Sequence, residues 1–336
     1  MIIRLGYVAM STVVKNASPS KTMTATRFSK LLDREAAIRK LERLGAENLH
    51  NTLRLLRHNR AHDIMVFRFS SRFIPLIGHE MLGDWNPIPT LSAEFEELGT
   101  YAKQAGMRVS FHPDHFTVLS TPKADVLQKS ILDLERHNAM LNAMGLGSEA
   151  RCNIHVGGSY GDKNKAAKRF VHNFSTLRPE IQRRITLEND DKTFNALETL
   201  NIAETVGIPM VLDVHHHAVN NEGEDAAALW PRIQQTWLNP ASQQQQQPQQ
   251  ESQQPDEALP PKIHVSSPKS ETDPRSHADY VEAGPLLAFL RAIAPVTPRL
   301  DIMIEAKMKD EALFRLMEDF KLQEGVTVLD QASVRL

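Results

Sequence analysis

Eight short apolar segments, each followed by a stretch with helical spacing, constrain the fold of this 336-residue chain more than any other feature. The segments predict strands at residues 2–8, 65–70, 108–112, 153–156, 185–188, 210–215, 262–265 and 301–306. Strands that alternate with helices are typical of βαβ units in a parallel sheet. Eight repeats predict a single-domain α/β fold, a TIM-type (β/α)8 barrel, and an open doubly wound sheet is the alternative.

The intervening stretches carry the signals of helices and of their ends. Apolar spacing predicts helices at residues 29–56, 91–105, 124–144, 193–206 and 285–293. Ser29 and Ser92 are suited to begin two of them, and the expected ends are marked by Gly45, Gly106, Gly145 and Gly207. We expect a catalytic barrel over residues 1–310, with a C-terminal helix and tail at 311–336 packed on it.

Residues 239–261 interrupt this alternation, because they are rich in Gln and Pro and nearly lack apolar side chains. Such a composition cannot bury enough surface to offset the entropy of ordering the chain. We therefore expect a disordered, low-complexity loop between the sixth helix and the seventh strand, and we assign it no chemistry.

Composition excludes several classes of protein. A net charge of −2 argues against histone-like binding of nucleic acid, although a local basic face is compatible with it. The single cysteine, Cys152, excludes an internal disulfide framework and favours a reducing, cytoplasmic setting. The sequence shows neither a long apolar run nor a signal peptide, so no membrane association is expected.

The predicted strands share a chemical pattern at their carboxyl ends, which converge on one rim of a barrel. Imidazoles and carboxylates follow strands three to eight, and eight of them are candidate metal ligands: His112, His155, Glu188, Asp213, His216, His264, His277 and Glu305. A lone buried histidine is more often a hydrogen-bonded core residue than a ligand. Several carboxylates in one ring would repel one another, however, and divalent cations remove that cost.

The number of candidates indicates more than one metal ion, since eight ligands exceed what one ion with open positions can use. Glu188, on a central strand, is suited to bridge two ions. Two or three ions about 3.5–4 Å apart are suited to in-line displacement at phosphorus. The mixed nitrogen and oxygen ligands permit zinc, manganese or iron.

A distributed set of motifs then suggests a family. The chain resembles the UV damage endonucleases, which are similar to AP endonucleases of the endonuclease IV type, in the following segments: RLGYVAMS, ASPSKTMT, FRFSSRFIPL, SFHPDHF, NIHVGG, LEND, LDVHHH, KIHVSS, PRSHADY and MIEAK. The resemblance implies a barrel enzyme that cuts DNA immediately 5′ of cyclobutane pyrimidine dimers and (6-4) photoproducts and so initiates excision repair. It implies double-stranded DNA as the partner, no obligate protein partner, and divalent metal ions, with Mn²⁺ favoured.

The resemblance also assigns roles to individual residues. It implies one metal site of His112, His155 and Glu188, and a second in which Glu188 is shared with Asp213, His264 and Glu305. His216 and His277 resemble ligands of a third ion, but Arg275 replaces an aspartate of the related AP endonucleases. Lys262 matches a lysine that can be carboxylated. The residues expected to carry catalysis are Glu188, Lys262, His216 and Glu305.

For DNA recognition, the resemblance implies that two adjacent residues after the third strand enter the duplex. These are His115 and Phe116, and His115 departs from the glutamine that is common in the family. Tyr7, at the end of the first strand, matches a tyrosine near the lesion pocket. An extruded photoproduct is suited to such readout because damaged bases stack and pair poorly.

Three other functions stay open at the level of sequence. An AP endonuclease would act mainly on abasic sites. A metal-dependent sugar isomerase of the xylose isomerase type shares the barrel and its His, Glu and Asp rim, but it offers no reason for the inserting pair. A non-catalytic, metal-dependent DNA-binding protein would bind damaged duplex without cutting it.

Overall fold

A computed structural model describes residues 1–83, 85–238 and 259–336 of the chain. Its strands are β1 (Ile2–Val8), β2 (Val66–Arg68), β3 (Arg108–Phe111), β4 (Arg151–His155), β5 (Ile185–Glu188), β6 (Met210–Asp213), β7 (Lys262–Val265), β8 (Pro268–Ser270), β9 (Asp273–His277), β10 (Arg299–Ile304), β11 (Thr327–Val328) and β12 (Ser333–Arg335). Strands β1 to β7 and β10 pair in parallel, and β10 closes the ring by pairing with β1 over six residues. The (β/α)8 barrel is therefore confirmed, and the open sheet is wrong.

The helices surround this barrel. They are α1 (Ala25–Ser29), α2 (Arg34–Ala61), α3 (Ser92–Gln104), α4 (Ala124–Ala143), α5 (Lys163–Ser175), α6 (Pro179–Gln182), α7 (Ala196–Val206), α8 (Val214–Val219), α9 (Ala226–Leu238), α10 (Ala283–Ile293) and α11 (Lys309–Lys321). Most of their apolar faces and the outward faces of the strands form one large buried core, and α1 and the start of α2 contribute to a smaller, separate cluster. None of the helices within the described ranges combines the length and the apolar character needed to cross a membrane.

Most predicted boundaries agree with the structure to within two residues, but two helix-end predictions are wrong. Gly45 lies inside α2, where a Cβ would stand only 3.0 Å from Cδ1 of Leu91; the glycine permits close packing and does not end the helix. Ser29 ends α1, and α2 begins after Asp33, whose carboxylate accepts from the Ala36 amide at 2.9 Å. By contrast, Gly207 caps α7 with φ +69°, as its position predicts.

The sixth strand is shorter than predicted. It ends at Asp213, because the Asp213 carboxylate accepts from the backbone amide of His216 at 2.7 Å and so begins α8. An acidic residue at this position satisfies a free amide of the first helical turn. The three consecutive histidines therefore lie on a helix, which directs them to different sides.

The C-terminal segment extends the sheet. Helix α11 packs against β1, and β12 then pairs antiparallel with β1, with Ile2 opposite Arg335. The predicted loop at 239–261 falls mostly outside the described residues, since 239–258 are not described. Leu259 to Pro261 lead directly into β7, and Arg108 donates to the Pro260 carbonyl at 2.7 Å.

The amino-terminal end of the barrel interior holds a buried ion cluster. Both Arg4 and Arg108 lie 2.7 Å from carboxylate oxygens of Asp301, which has no exposed surface. Although burial raises the pKa of the Asp301 carboxyl, the two guanidiniums lower it below its ordinary value. This end of the barrel is therefore closed by paired charges, and the open rim lies at the other end.

Candidate metal centre

Glu188 occupies the centre of the rim. It is the last residue of β5, and only 1% of its surface is exposed. One carboxylate oxygen lies 3.1 Å from Nδ1 of His264, and the other lies 3.2 Å from Nε2 of His112. The buried amide of Asn153 donates to the second oxygen, and Asn153 is itself oriented by the Thr186 hydroxyl at 2.8 Å. Glu188 is thus fixed between neighbours from both sides of the barrel.

Seven of the eight predicted ligands, Glu188 included, gather at this carboxylate. Within each of three groups, potential ligand atoms lie within 4.8 Å of one another, and Glu188 belongs to all three. The groups are His112, His155 and Glu188; Glu188, Asp213 and His216; and Glu188, His264 and Glu305. The first matches the expected first site. The second differs from expectation because Asp213 is grouped with His216.

Backbone carbonyls fix the tautomers of four histidines. The Nδ1–H groups donate as follows: His112 to Pro113 at 2.9 Å, His155 to Glu188 at 3.3 Å, His216 to Asn189 at 3.0 Å and His277 to Glu305 at 2.8 Å. A carbonyl oxygen can only accept, so each Nδ1 carries the proton. In the neutral imidazole each Nε2 then keeps a lone pair, which is how metal-binding histidines are oriented by a second layer of hydrogen bonds.

Two buried polar atoms of the cluster support a cation at this position. Oδ2 of Asp213 and Nε2 of His264 have no hydrogen-bond partner among the described residues. Leaving buried polar atoms unsatisfied costs about 1–3 kcal/mol each. A divalent cation would satisfy both atoms and offset the carboxylate charges, so these residues fit the predicted metal ions.

The three histidines at the start of α8 have different surroundings. Only His216 lies among the groups that share Glu188. His215 and His217 contact the backbone carbonyls of Arg275 and Glu224 instead, at 3.4 Å and 3.0 Å. Selecting His216 from HHH therefore agrees with its placement in the structure.

His277 stands at the edge of the cluster. Its ring centroid is 6.2 Å from that of His216, and among the described residues it belongs to no group of three close ligand atoms. Arg275, the departure from the related AP endonucleases, lies 4.0 Å from Asp191. The third metal site accordingly stays a prediction.

Glu305 follows β10 and joins the cluster of candidate ligands to the guanidinium of Arg68. One of its oxygens lies 3.0 Å from Nδ1 of His264 and also accepts from the Arg68 guanidinium, which reaches across the end of β1 from β2. Burial raises the pKa of the Glu305 carboxyl, but Arg68 and His264 hold it well below its ordinary value. Glu305 is therefore ionised next to a permanent positive charge.

Three other ionisable groups of the cluster, Asp213, His216 and Glu188, also have shifted pKa values. Burial raises the pKa of Asp213 to about 6, although His216 opposes that shift. Burial would lower the pKa of His216, but Asp213 and Glu188 raise it to about 9. Burial likewise opposes ionisation of Glu188, yet His264 and His155 hold its pKa well below the ordinary value. Without metal, the cluster stores protons on His216 and shares negative charge among its carboxylates.

Lys262 lies one layer below the ligands. It is two residues before His264 on β7, and its buried ammonium donates to the Ser110 hydroxyl at 3.3 Å. Burial, Arg108 and Arg68 lower its pKa to about 7. A lysine with such a pKa is partly a neutral amine near neutral pH.

His115 and Phe116 project from the same rim. Their side chains are 75% and 72% exposed, and their ring centroids lie 4.0 Å apart. Beside them is a cavity of about 410 Å³, whose lining includes His112, His155, His216 and Asp190. An exposed aromatic pair therefore borders the space into which the predicted ligands open.

The structure corrects the expectation for Tyr7. Its side chain has no exposed surface, and its hydroxyl donates to Asn59 of α2 at 2.7 Å. The ring packs on Phe67 at 5.1 Å, between the barrel and its helices. Side chains alternate along a strand, and Tyr7 points to the outer face, so it contacts no lesion in this conformation.

Sequence reasoning missed two polar residues that organise the centre, Arg68 and Asn153, and noted a third, Asn189, at the end of its strand without giving it a role. Arg68 ends β2 and pairs with Glu305, and Asn153 holds Glu188. Asn189 exchanges hydrogen bonds of 3.0 Å and 2.9 Å with the Asp213 backbone and joins the ends of β5 and β6. A signal existed for Asn153, which lies two residues before His155 and therefore faces the same side of its strand.

The fold and the site together define a class of protein. A closed parallel barrel carries its imidazoles and carboxylates at the carboxyl ends of its strands, where barrel enzymes place their active sites. The donor set is one that binds divalent cations. The chain is thus a barrel protein whose rim carries side chains that could hold divalent cations, at the position where barrel enzymes have their active sites.

Comparison with known proteins identifies the family. The chain belongs to the family described as UV-endonuclease UvdE, whose model matches residues 3–335. It is 41% identical over 336 residues to a UV DNA damage endonuclease of Halalkalibacterium halodurans, with 99% of each chain covered. It is 43% identical to the Bacillus pumilus protein of the same name, over 97% of this chain and 96% of that one. The predicted family and enzyme class, an endonuclease, are confirmed.

Solved structures agree with this family. The crystal structure of SacUVDE superimposes with a TM-score of 0.79 at 27% identity, and 95% of this chain and 98% of that chain are covered. Endonuclease IV from Thermus thermophilus gives a TM-score of 0.53 at 12% identity, over 94% and 98% of the two chains. The second similarity shows a shared fold alone.

Proposed function

We propose that this protein hydrolyses duplex DNA immediately 5′ to cyclobutane pyrimidine dimers and (6-4) photoproducts and thereby initiates excision repair. One observation carries the proposal: three ligand groups share Glu188 on the rim from which His115 and Phe116 project. A centre suited to phosphodiester hydrolysis is thus combined with exposed rings suited to enter a damaged duplex.

The chain offers positions for two or three divalent ions, and we propose Mn²⁺. His112, His155 and Glu188 would hold one ion, and Glu188, Asp213, His264 and Glu305 a second. His216 and His277 would hold a third, since both present Nε2 from a fixed tautomer. When bound, such ions polarise the phosphodiester and activate water as a nucleophile.

The protein's own residues prepare the centre for this chemistry. Asn153 prevents rotation of the Glu188 carboxylate, so both of its oxygens stay directed at neighbours on opposite sides. Glu305 is kept ionised by Arg68. His216 donates its Nδ1 proton to the Asn189 carbonyl, and its side chain lines the cavity. We include Lys262 among the catalytic residues because its lowered pKa favours the neutral amine that carboxylation requires.

Lesion recognition is assigned to the two exposed rings. A photoproduct pairs and stacks poorly, so extruding it costs less than extruding normal bases. His115 and Phe116 would fill the gap left in the duplex, and the 410 Å³ cavity beside them would receive the displaced nucleotides. An enzyme that tolerates several lesions reads distortion of the backbone more than base edges.

The test is incision of a 5′-labelled duplex that carries one thymine dimer. We expect a cut immediately 5′ of the dimer in Mn²⁺, no cut in EDTA, and no cut of undamaged duplex. Parallel substrates with a (6-4) photoproduct and an abasic site measure the range of lesions.

Three outcomes would overturn the proposal. Cutting at the abasic site alone would make the protein an AP endonuclease. Metal-dependent turnover of sugars without cutting of any duplex would make it an isomerase of the same barrel class. Tight binding of damaged duplex without incision would instead indicate a non-catalytic role.

A further inference from the structure

We propose that Lys309, supported by Arg68, binds a backbone phosphate of the DNA at the Glu305 side of the centre. The inference rests on the proposed function in that DNA is taken as the substrate. It adds a phosphate-binding residue outside the ligand set and outside the inserting pair.

Lys309 stands at the start of the helix that follows β10. Lys309 opens α11, four residues after Glu305, and its side chain is partly exposed. Burial and the Arg68 guanidinium lower the pKa of its ammonium, and Glu305 acts in the opposite direction, so the three charges interact. Arg68 already donates to Glu305. Lys309 is therefore a second cation next to a carboxylate whose charge is already compensated.

The backbone of Lys309 has an uncommon conformation. Lys309 has φ +52°, in the left-handed region that favours glycine, and non-glycine residues there are uncommon. Such a conformation persists only where the surroundings impose it.

The surroundings do impose this conformation through the next residue. The buried carboxylate of Asp310 accepts from the Ser11 hydroxyl, from the Thr12 amide at 2.9 Å, and from the Thr12 hydroxyl at 3.1 Å. Nε2 of His58 lies 3.2 Å from the same carboxylate. The loop after β1 and helix α2 therefore hold the start of α11 in place, and Lys309 with it.

The ammonium of Lys309 differs from those of two other lysines in its hydrogen-bond and ion-pair partners. Lys21 and Lys163 are paired with carboxylates, Lys21 with Glu47 and Lys163 with Glu198. Nζ of Lys309 makes no hydrogen bond and no close ion pair with any described residue. A partly buried cation without such a partner gains most from an anion that arrives with the substrate. A phosphate bridging Lys309 and Arg68 has the required charge and acceptors.

The experiment compares Lys309→Met, Lys309→Arg and Lys309→Gly with a control, Lys321→Met, at the other end of the same helix. Lys321 is exposed and pairs with Glu318. Binding of a fluorescent thymine-dimer duplex is measured by anisotropy in EDTA over a range of salt concentrations. Loss of one phosphate contact should reduce the slope of log K against log salt by about 0.9. We expect this reduction for Met and Gly, and not for Arg or for the control.

Two further readouts separate phosphate binding from a structural role. With Mn²⁺, the Met variant should raise KM for incision while its metal content stays equal to wild type. The Gly variant removes the positive charge, and glycine adopts the left-handed conformation of this residue without strain. The Gly variant should therefore fold and can be tested even if the Met variant is unstable. An unchanged salt slope in the Gly variant would overturn the inference, and so would loss of metal from it.

Failure of the proposed function can be distinguished from failure of the phosphate contact. A wild-type protein that cuts no damaged duplex would overturn that function, while the salt slopes are measured without cleavage. Equal slopes for wild type and the Gly variant would reject the phosphate contact whether or not the wild type cuts.

Discussion

Glu188 and His264 lie on β5 and β7, two strands apart in the barrel, and Oε1 of Glu188 is 3.1 Å from Nδ1 of His264. On the opposite side, His112 of the β3 end lies 3.2 Å from the other oxygen. One carboxylate thus spans the rim between strands that share no hydrogen bonds. Closure of the sheet makes this possible, since a flat sheet would keep these strands apart.

Replacing Glu188 with Gln should abolish incision of dimer-containing DNA while the protein stays folded. The amide removes the charge shared by all three ligand groups and leaves the shape of the side chain intact. Loss of a residue that only supports a ligand costs roughly 10- to 100-fold, so losing the shared ligand should reduce kcat/KM by more than about 100-fold. Incision rates and bound metal, measured by mass spectrometry, check this expectation.

The matched control is Glu318→Gln, which changes an exposed glutamate of α11 in the same way. It should cut like wild type. Substantial nicking by the Glu188 variant would refute its assignment as the shared ligand.

Changing His115 and Phe116 together to Ala should impair incision of damaged duplex and leave metal content unchanged. The two rings are exposed and belong to none of the three ligand groups found among the described residues, and base–aromatic stacking contributes about 1–3 kcal/mol per base. We therefore expect kcat/KM to fall by about 10- to 100-fold. Leu322→Ala, which shortens another exposed apolar side chain, is the control. Parallel loss of metal would show that the rings support the centre instead of the DNA.

Metal affinity should fall as the pH is lowered. The pKa of His216 is raised to about 9 by Asp213 and Glu188, so near neutral pH the metal-free imidazole carries a proton that metal binding must displace. Below about pH 6 Asp213 also takes up a proton. Affinity should drop about tenfold per pH unit for each proton released. Calorimetric titration with Mn²⁺ near neutral pH in two buffers of different ionisation enthalpy measures that release, and equal heats in both buffers would contradict it.

Asp301→Asn should destabilise the fold strongly without touching the rim. It leaves the buried Arg108 and the partly exposed Arg4 without their carboxylate, and breaking a buried pair costs about 3–5 kcal/mol. Because the folded-state pKa of Asp301 is lowered, its contribution is present above the ordinary carboxyl pKa and is lost as the pH falls through the folded value. Urea unfolding at neutral pH and at a pH below the ordinary carboxyl pKa measures both effects.

The control for this variant is Asp273→Asn, which breaks an exposed pair with Lys269. Exposed pairs contribute little, so the unfolding midpoint should scarcely move. A similar midpoint for the Asp301 variant and wild type would show that the buried cluster is not stabilising.

Much of the site was predictable because it depends on local pattern. Strand ends in a barrel meet at one rim whatever the loops do, so His155, Glu188 and Glu305 could be placed together from their positions alone. The end of β6 was not predictable, because Asp213 could either continue the strand or cap a helix. Only the hydrogen bond to the His216 amide shows which of these occurs.

The strand-end position of Tyr7 did not predict which side of the barrel wall its ring occupies. Its position at a strand end predicted the rim, but alternation along β1 directs its ring outward against Phe67 and Asn59. The register that decides between the two faces is set by pairing with β10 and β2, far away in the chain.

The sequence by itself determined the barrel, the family and the seven candidate ligands that gather at the rim, because periodicity and the identity of strand-end residues are local properties. Tertiary structure alone decided that Arg68 reaches Glu305 and that Asn153 holds Glu188. It also decided that Asp310 fixes the left-handed turn at Lys309. These contacts join residues on different strands and helices, and their geometry exists only once the sheet has closed.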